Sequence, residues 1–196
     1  MSSRLVPRSG QADYVSIIKD EDKCYSQIGR WWYRGKQDLS IGEGCQSKGT
    51  VIHEIMHLIG IISRINSYFH MISFNNLNYH SHNFLQFFVG FYHEQSRPDR
   101  DKFVTVFENN IQAGTEHNFE KCKSCSQQNL NYDFDSLMHY TNEAFGKVVN
   151  GKHLKTIEVK ADPNHILAHS SSKHTFSPLD LAGILDLYDC SGKNNL

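Results

Sequence analysis

The chain has 196 residues and a formal net charge of -1, from 20 Lys+Arg against 21 Asp+Glu, which is the size of one domain able to bury its own core. No block of like charge could follow a phosphate backbone or an anionic bilayer, so neither nucleic acid nor a membrane is expected as a partner. The longest apolar stretches are too short to span a bilayer, and twelve histidines mean nothing until their spacing is read.

The opening MSSRLVPRSG has no apolar run behind its basic residue and does not read as a secretory signal. Residues 13–18, DYVSII, are β-branched and aromatic ahead of the charged turn KDED, which predicts a strand. A second strand is expected in DLSIG, 38–42, and Gly42 and Gly44 at its end suggest the edge of a sheet. From Thr50 the pattern turns helical: Thr50 is the expected N-cap, and Val51, Ile52, Ile55, Met56, Leu58 and Ile59 give the helix apolar sides that should be largely buried. Gly60 suits a left-handed C-terminal stop.

Residues 61–90, IISRINSYFHMISFNNLNYHSHNFLQFFVG, contain one charged side chain, Arg64, and are dominated by Ile, Asn, Phe and Tyr. From 91 to 176 the chain is polar, rich in Asn, Asp, His and Gly with only short apolar runs, so mostly irregular backbone is expected. SPLDLAGILDLYDC, 177–190, predicts a closing helix with Ser177 as cap, Pro178 at the first helical position and Asp180 completing a capping box. Leu179, Leu181, Ile184, Leu185 and Tyr188 should form its core-facing side.

The five cysteines are Cys24, Cys45, Cys122, Cys125 and Cys190, an odd set without repeated zinc-finger spacing. No βαβ pattern surrounds KCKSCSQQN, so Cys122 and Cys125 are expected in a surface-loop disulfide or in two separate bridges, in an oxidising compartment. With no signal peptide at the opening, either an export signal is missing or that compartment is wrong.

Chemistry enters at HEIMHLIG, residues 53–60. On a helix, positions i and i+4 differ by about 40° in azimuth, so His53 and His57 project from one face and can hold one ion. Glu54 lies near that ion without binding it and can take a proton from an acidified water. Gly60 fits a helix that must stop so that a third ligand can turn back to the ion. The longer H-E-x-x-H-x-x-G-x-x-H pattern wants that ligand at position 63, which is Ser63. A histidine does stand three residues after a later glycine, in GFYHEQSRPDRD: it is His93.

Joining Gly60 to Phe91 gives HEIMHLIGFYHEQSRPDRD, and with this join the sequence resembles the astacin family of zinc endopeptidases, within the metzincins. Further similarity lies at DSLMHY (135–140), GCQSKGTVIHE and NNIQAGTEHNF, and the resemblance runs from about residue 11 to Cys190, excluding 61–90. It implies an α+β, zincin-like, two-lobed catalytic domain with a mixed twisted sheet, an active-site helix and a C-terminal helix. It also implies Zn2+ bound by His53, His57 and His93, with Glu54 as general base. Met138 becomes an apolar floor beneath the metal, Tyr140 a metal-side tyrosine that swings to support the oxyanion, and Glu94 the acid that meets a processed N-terminal amine. Cys24 with Cys45 forms a family-like disulfide. Protein or peptide substrates are expected as an extended strand, antiparallel to an edge strand containing DLSIG, in a secreted protein. Oligomeric state is left open.

Against the family pattern, the chain is expected to be a partial domain: Ser2 stands where a cysteine is usual, which leaves Cys190 without its mate, and the strands and long helix upstream are absent. Residues 61–90 are expected to be an insertion, either a translated intron, since removing them leaves one glycine at the join, or a surface loop. As a loop it costs ~2 kcal/mol of closure entropy, small against the ~10 kcal/mol or more of a structural zinc. His70, His80 and His82 are rival third ligands inside it. Two other readings compete: an inactive extracellular binding protein that lost zinc through Ser63, and an enzyme that uses Glu94 in place of His93 as ligand.

Overall fold

The computed structural model describes residues 7–29, 35–59, 91–123 and 130–187. Gly60, the segment 61–90, Cys125, Tyr188 and Cys190 lie outside the described residues, and with them the expected helix stop, the insertion and the rival histidines.

The described residues form an α+β fold. Strands β1 (Tyr14–Ile18), β2 (Cys24–Ser26) and β3 (Lys36–Ile41) make a sheet in the order β1-β3-β2. It is mixed: β1 runs parallel to β3 and β2 antiparallel to it. The expectation that DLSIG lies at an edge is therefore corrected, because β3 is the central strand. Gly42 marks a close approach and not an edge. A Cβ there would lie 2.4 Å from the Glu21 carbonyl and 2.7 Å from the Lys23 amide, so only glycine lets the β1–β2 turn fold down onto the end of β3. The buried Ser40 hydroxyl knits the same turn, donating to Lys23 O (2.8 Å) and accepting from Asp20 N (3.1 Å).

Helix α1 spans Lys48–Leu58. Its N-cap is Ser47, whose hydroxyl accepts from Thr50 N at 3.1 Å. The cap was expected at Thr50, which instead sits inside the first turn, buried, its own hydroxyl bonded to that of Ser47. A serine upstream of KG was masked by the glycine at 49, a weak helix former. Gly49 is there for space: a Cβ would stand 1.9 Å from Ser170 O and 2.2 Å from Lys173 O, so the first turn of α1 lies against the 170–173 backbone.

From 91 onward, regular structure is short, as expected. Three-residue strands β4 (Val104–Val106) and β7 (Ile157–Val159) pair antiparallel, and β5 (Val148–Val149) pairs with β6 (Lys152–His153) as a small hairpin. Single 3-10 turns fill the intervals, among them 94–96, 116–119 and 170–172. Strands of this length carry no readable alternation. Val104, Ile157 and Val159 nonetheless form one core with Ile111, Phe119, Tyr132 and Leu167.

A second core joins Met56 of α1 to Leu137 and Met138, with Phe91, Phe176 and Ile184 against it. Ile184 comes from α2 (Pro178–Leu187). The expected capping box is present: Ser177 Oγ accepts from Asp180 N (2.8 Å), and Asp180 Oδ2 accepts from Ser177 N (3.1 Å). The expected core face is corrected in part, since Leu181 and Leu185 are 47% and 43% exposed while Asp180 and Gly183 are buried. Asp180 turns the helix inward on its own side, because its carboxylate also accepts from Ser136 Oγ (2.7 Å) and Leu137 N (2.9 Å). None of the described helices is long and apolar enough to cross a membrane.

Candidate metal centre and active site

His53 and His57, a turn apart on α1, face His93, which lies just before the 94–96 turn. Ring centroids are 4.8 Å apart for His53–His57, 4.8 Å for His57–His93 and 5.3 Å for His53–His93. One ring nitrogen from each lies within 4.8 Å of the others, and among the described residues this is the group of three or more His, Cys, Asp or Glu able to hold a metal. The histidine expected from beyond 61–90 is thus the one that completes the cluster. Glu94, the rival ligand, points elsewhere: its Oε1 accepts from Arg97 Nη1 (2.9 Å) and Asp133 N (2.9 Å).

Each helical histidine has a fixed tautomer. His53 Nδ1 donates to Leu137 O at 2.7 Å and His57 Nδ1 to Phe91 O at 2.8 Å, which leaves both Nε2 lone pairs for an ion. Burial holds all three imidazoles neutral: it lowers His53, lowers His57 to about 3 and lowers His93 well below the usual value, with the neighbouring histidines adding to the last two. Three neutral, oriented imidazoles around a shared space fit zinc, which takes nitrogen donors at ~2.0–2.1 Å.

The DSLMHY turn is where these pieces meet. Leu137 O accepts from His53 Nδ1, and Met138 O accepts from Glu94 N at 3.1 Å, next to His93. Asp180 holds the turn from behind, with Lys173 Nζ donating to Ser136 O (2.7 Å). Met138 is 2% exposed and packs with Met56 and Leu137 below the helix. Arg97 ties the segment after His93 to 130–133, spending its donors on Glu94, Asp99, Leu130 O and Asn131 O.

A cleft of about 630 Å³ opens over the three histidines. Glu54, also on α1, lines it and is 5% exposed; burial raises its carboxyl to about 7. Tyr140 lines it too, its ring 4.4 Å from that of His93 and its phenol raised to about 12 by burial. Tyr25 and Ser26 of β2 line it as one wall, and Thr141, Phe145 and His169 line it too. Phe145 holds a left-handed φ of 52°, uncommon for a bulky residue, and its carbonyl accepts from Gln112 N at 2.9 Å.

The wall β2 is fastened to α1 at both ends. The Cys24–Cys45 disulfide, expected from the resemblance, joins its first residue to the loop before α1, and beyond it Gly29 N donates to His57 O at 2.8 Å. Cys122 is also disulfide-bonded; its partner lies outside the described residues. Glu94 is pushed up to about 7 by burial, against the pull of Arg97 and the Asp133 amide. Sequence reasoning missed Ser47, Gly49, Gln95 and His139, and read Asp180 as a cap only. Gln95 and His139 stand inside the quoted strings HEQSRPDRD and DSLMHY, yet nothing in their spacing signals a role.

A family model described as Astacin (Peptidase family M12A) matches residues 3–69 and 73–189. Zinc metalloproteinase nas-6 of Caenorhabditis elegans is 34% identical over 193 residues, covering 97% of this chain and 44% of that protein. Astacin-like metalloprotease toxin 1 of Loxosceles intermedia is 32% identical over 188 residues, covering 95% of this chain and 58% of the toxin. Among solved structures, High choriolytic enzyme 1, a hatching enzyme zinc-protease from the medaka fish Oryzias latipes, superposes with a TM-score of 0.70 at 28% identity, covering 94% of this chain and 73% of that one. The chain spans less than half the length of nas-6 and 32% of nas-13, a second Caenorhabditis elegans zinc metalloproteinase.

Proposed function

This chain belongs to the astacin family, peptidase family M12A, and from that premise we propose that it is the catalytic domain of a secreted zinc endopeptidase that cleaves extended segments of proteins or peptides. One observation carries the reading: three neutral imidazoles, a buried carboxyl and a phenol line one cleft beside a strand edge. His53, His57 and His93 would hold the zinc. When bound there, the ion supplies a Lewis acid that acidifies a water and polarises the scissile carbonyl.

The chain's own residues do the rest. Glu54, raised to about 7, has a basicity suited to taking a proton from the attacking water near neutral pH and returning it to the leaving amine. The Tyr140 hydroxyl, protonated across the physiological range, donates to the oxygen on which negative charge develops. Met138 closes the apolar floor. The substrate backbone pairs with β2, which has β3 on one side and, among the described residues, no strand on the other; this replaces the DLSIG strand as the docking edge. Pairing with main chain makes binding tolerant of sequence and leaves selectivity to the side walls.

Zinc titration combined with a peptide-cleavage assay tests the proposal. The full chain should bind zinc and cleave, and Glu54→Gln should keep the zinc while activity falls about 10²- to 10⁴-fold. Zinc lost on His93→Ala supports the ligand set; zinc retained there, or zinc bound with no cleavage by the parent chain, overturns the corresponding part.

A further inference from the structure

Two buried polar side chains beside the cleft have no part in the chemistry above. Gln95 is 0% exposed and His139 3%. Both bind the backbone of one residue. Gln95 Oε1 accepts from Tyr140 N at 3.1 Å, and His139 Nδ1 donates to Tyr140 O at 2.7 Å. A carbonyl can only accept, so the His139 proton sits on Nδ1 and Nε2 accepts from the Tyr132 hydroxyl at 2.9 Å. Tyr140 lies in no helix or strand, so no ladder holds its peptide groups. Its hydroxyl has no hydrogen-bond partner among the described residues, and its ring is flanked by His93 at 4.4 Å and by Phe145 at 5.5 Å.

We propose that Gln95 and His139, with Tyr132 bracing the latter, are positioning residues that clamp the Tyr140 backbone so that its phenol can move over the cleft about a fixed Cα. Gln95 follows His93 by two residues on the turn whose first amide bonds to Met138 O. The clamp therefore sets Tyr140 relative to the third ligand and not merely to the core. A donor that meets charge only as it develops gains nothing if its anchor wanders, since a misplacement of ~1 Å can cost on the order of 10²-fold in rate. The plainer account is that two buried peptide groups simply needed partners. The accounts differ in whether loss of the clamp is felt through Tyr140.

The inference rests on the role given to Tyr140, and a double-mutant cycle on the zinc-loaded full chain separates the two. His139→Leu should lower kcat about tenfold with KM within about twofold and zinc content unchanged. His139→Asn, whose amide N–H can take the place of Nδ1, should recover most of that loss. In a Tyr140→Phe background the same His139→Leu change should alter kcat by less than about twofold. Equal losses in both backgrounds, or a rise in KM alone, overturn the clamp. A Tyr140→Phe variant with unchanged kcat overturns the role of Tyr140 and the clamp with it. Should His139→Leu not fold, Tyr132→Phe goes through the same cycle: a loss of about threefold, absent in the Tyr140→Phe background, is expected, and additivity is the overturning result.

Discussion

Helix α1 and the stretch from 91 to 140 supply the same cleft by opposite means. On α1, a main-chain ladder places His53, Glu54 and His57, and only the tilt of the helix remains to be set, by the Ser47 cap, the Gly49 contact and the Gly29 bond. In the second stretch the only ladder among the described residues is that of β4 with β7, and it holds none of the site residues. His93, Met138 and Tyr140 are held by side chains reaching backbone: Arg97 to 130–131, Asp180 to Leu137, Gln95 and His139 to Tyr140. A helix tolerates the loss of one bond because its neighbours share the load, whereas a turn held by single contacts loses its geometry with any of them. Damage should therefore be shallow on the first side and deep on the second.

The largest test of that contrast is Asp180→Ala. It leaves Ser136 Oγ and the Leu137 and Ser177 amides without their buried acceptor, and should cost about 3–5 kcal/mol by urea unfolding. It should also weaken zinc binding, since Leu137 O orients His53. Unchanged zinc affinity would break the proposed link between α2 and the ligand.

Next comes pH. Burial lowers His139 to about 4, against ~6.5 unfolded. The unfolded chain binds the extra proton in that window, so stability is full above about 6.5 and falls as pH drops toward 4, by ~3 kcal/mol in all. Between the two ends of that window, wild type should lose more stability than His139→Asn by that amount in unfolding curves; equal losses would remove His139 from the acid-sensitive set.

The smallest effect is expected on the ladder side. Ser47→Ala removes the cap of α1 and should lower stability by about 1 kcal/mol, with zinc affinity and kcat unmoved. A marked loss of metal would show that α1 is no more robust than the turn opposite it.

The same contrast governs what could be read from sequence. The helical pair His53 and His57 is legible because a 3.6-residue period converts spacing into facing, and α2 because its capping box is local. His93 was reached through a glycine-to-histidine spacing and a family likeness. The physical work of Asp180 and Gln95 is not legible, because each acts on a residue more than forty positions away, and that of His139 is not, because its bonds to Tyr140 O and the Tyr132 hydroxyl follow no period that a sequence displays. The error over β3 has the same origin: Gly42 admits the backbone of 21–23, a tertiary reason that looks, in one dimension, like an edge.

The bridge between Cys24 and Cys45 ties the strand proposed to receive the substrate to the approach of the helix that bears His53 and His57. Where thiols stay reduced, that wall would keep its pairing with β3 and the Gly29–His57 bond but lose its covalent tie to the approach of α1, and the jaw could gape without any change at the ion. On the proposed reading, oxidative maturation would tighten the grip of the cleft on a polypeptide, and a chain folded before this cross-link forms would hold its metal more firmly than its substrate.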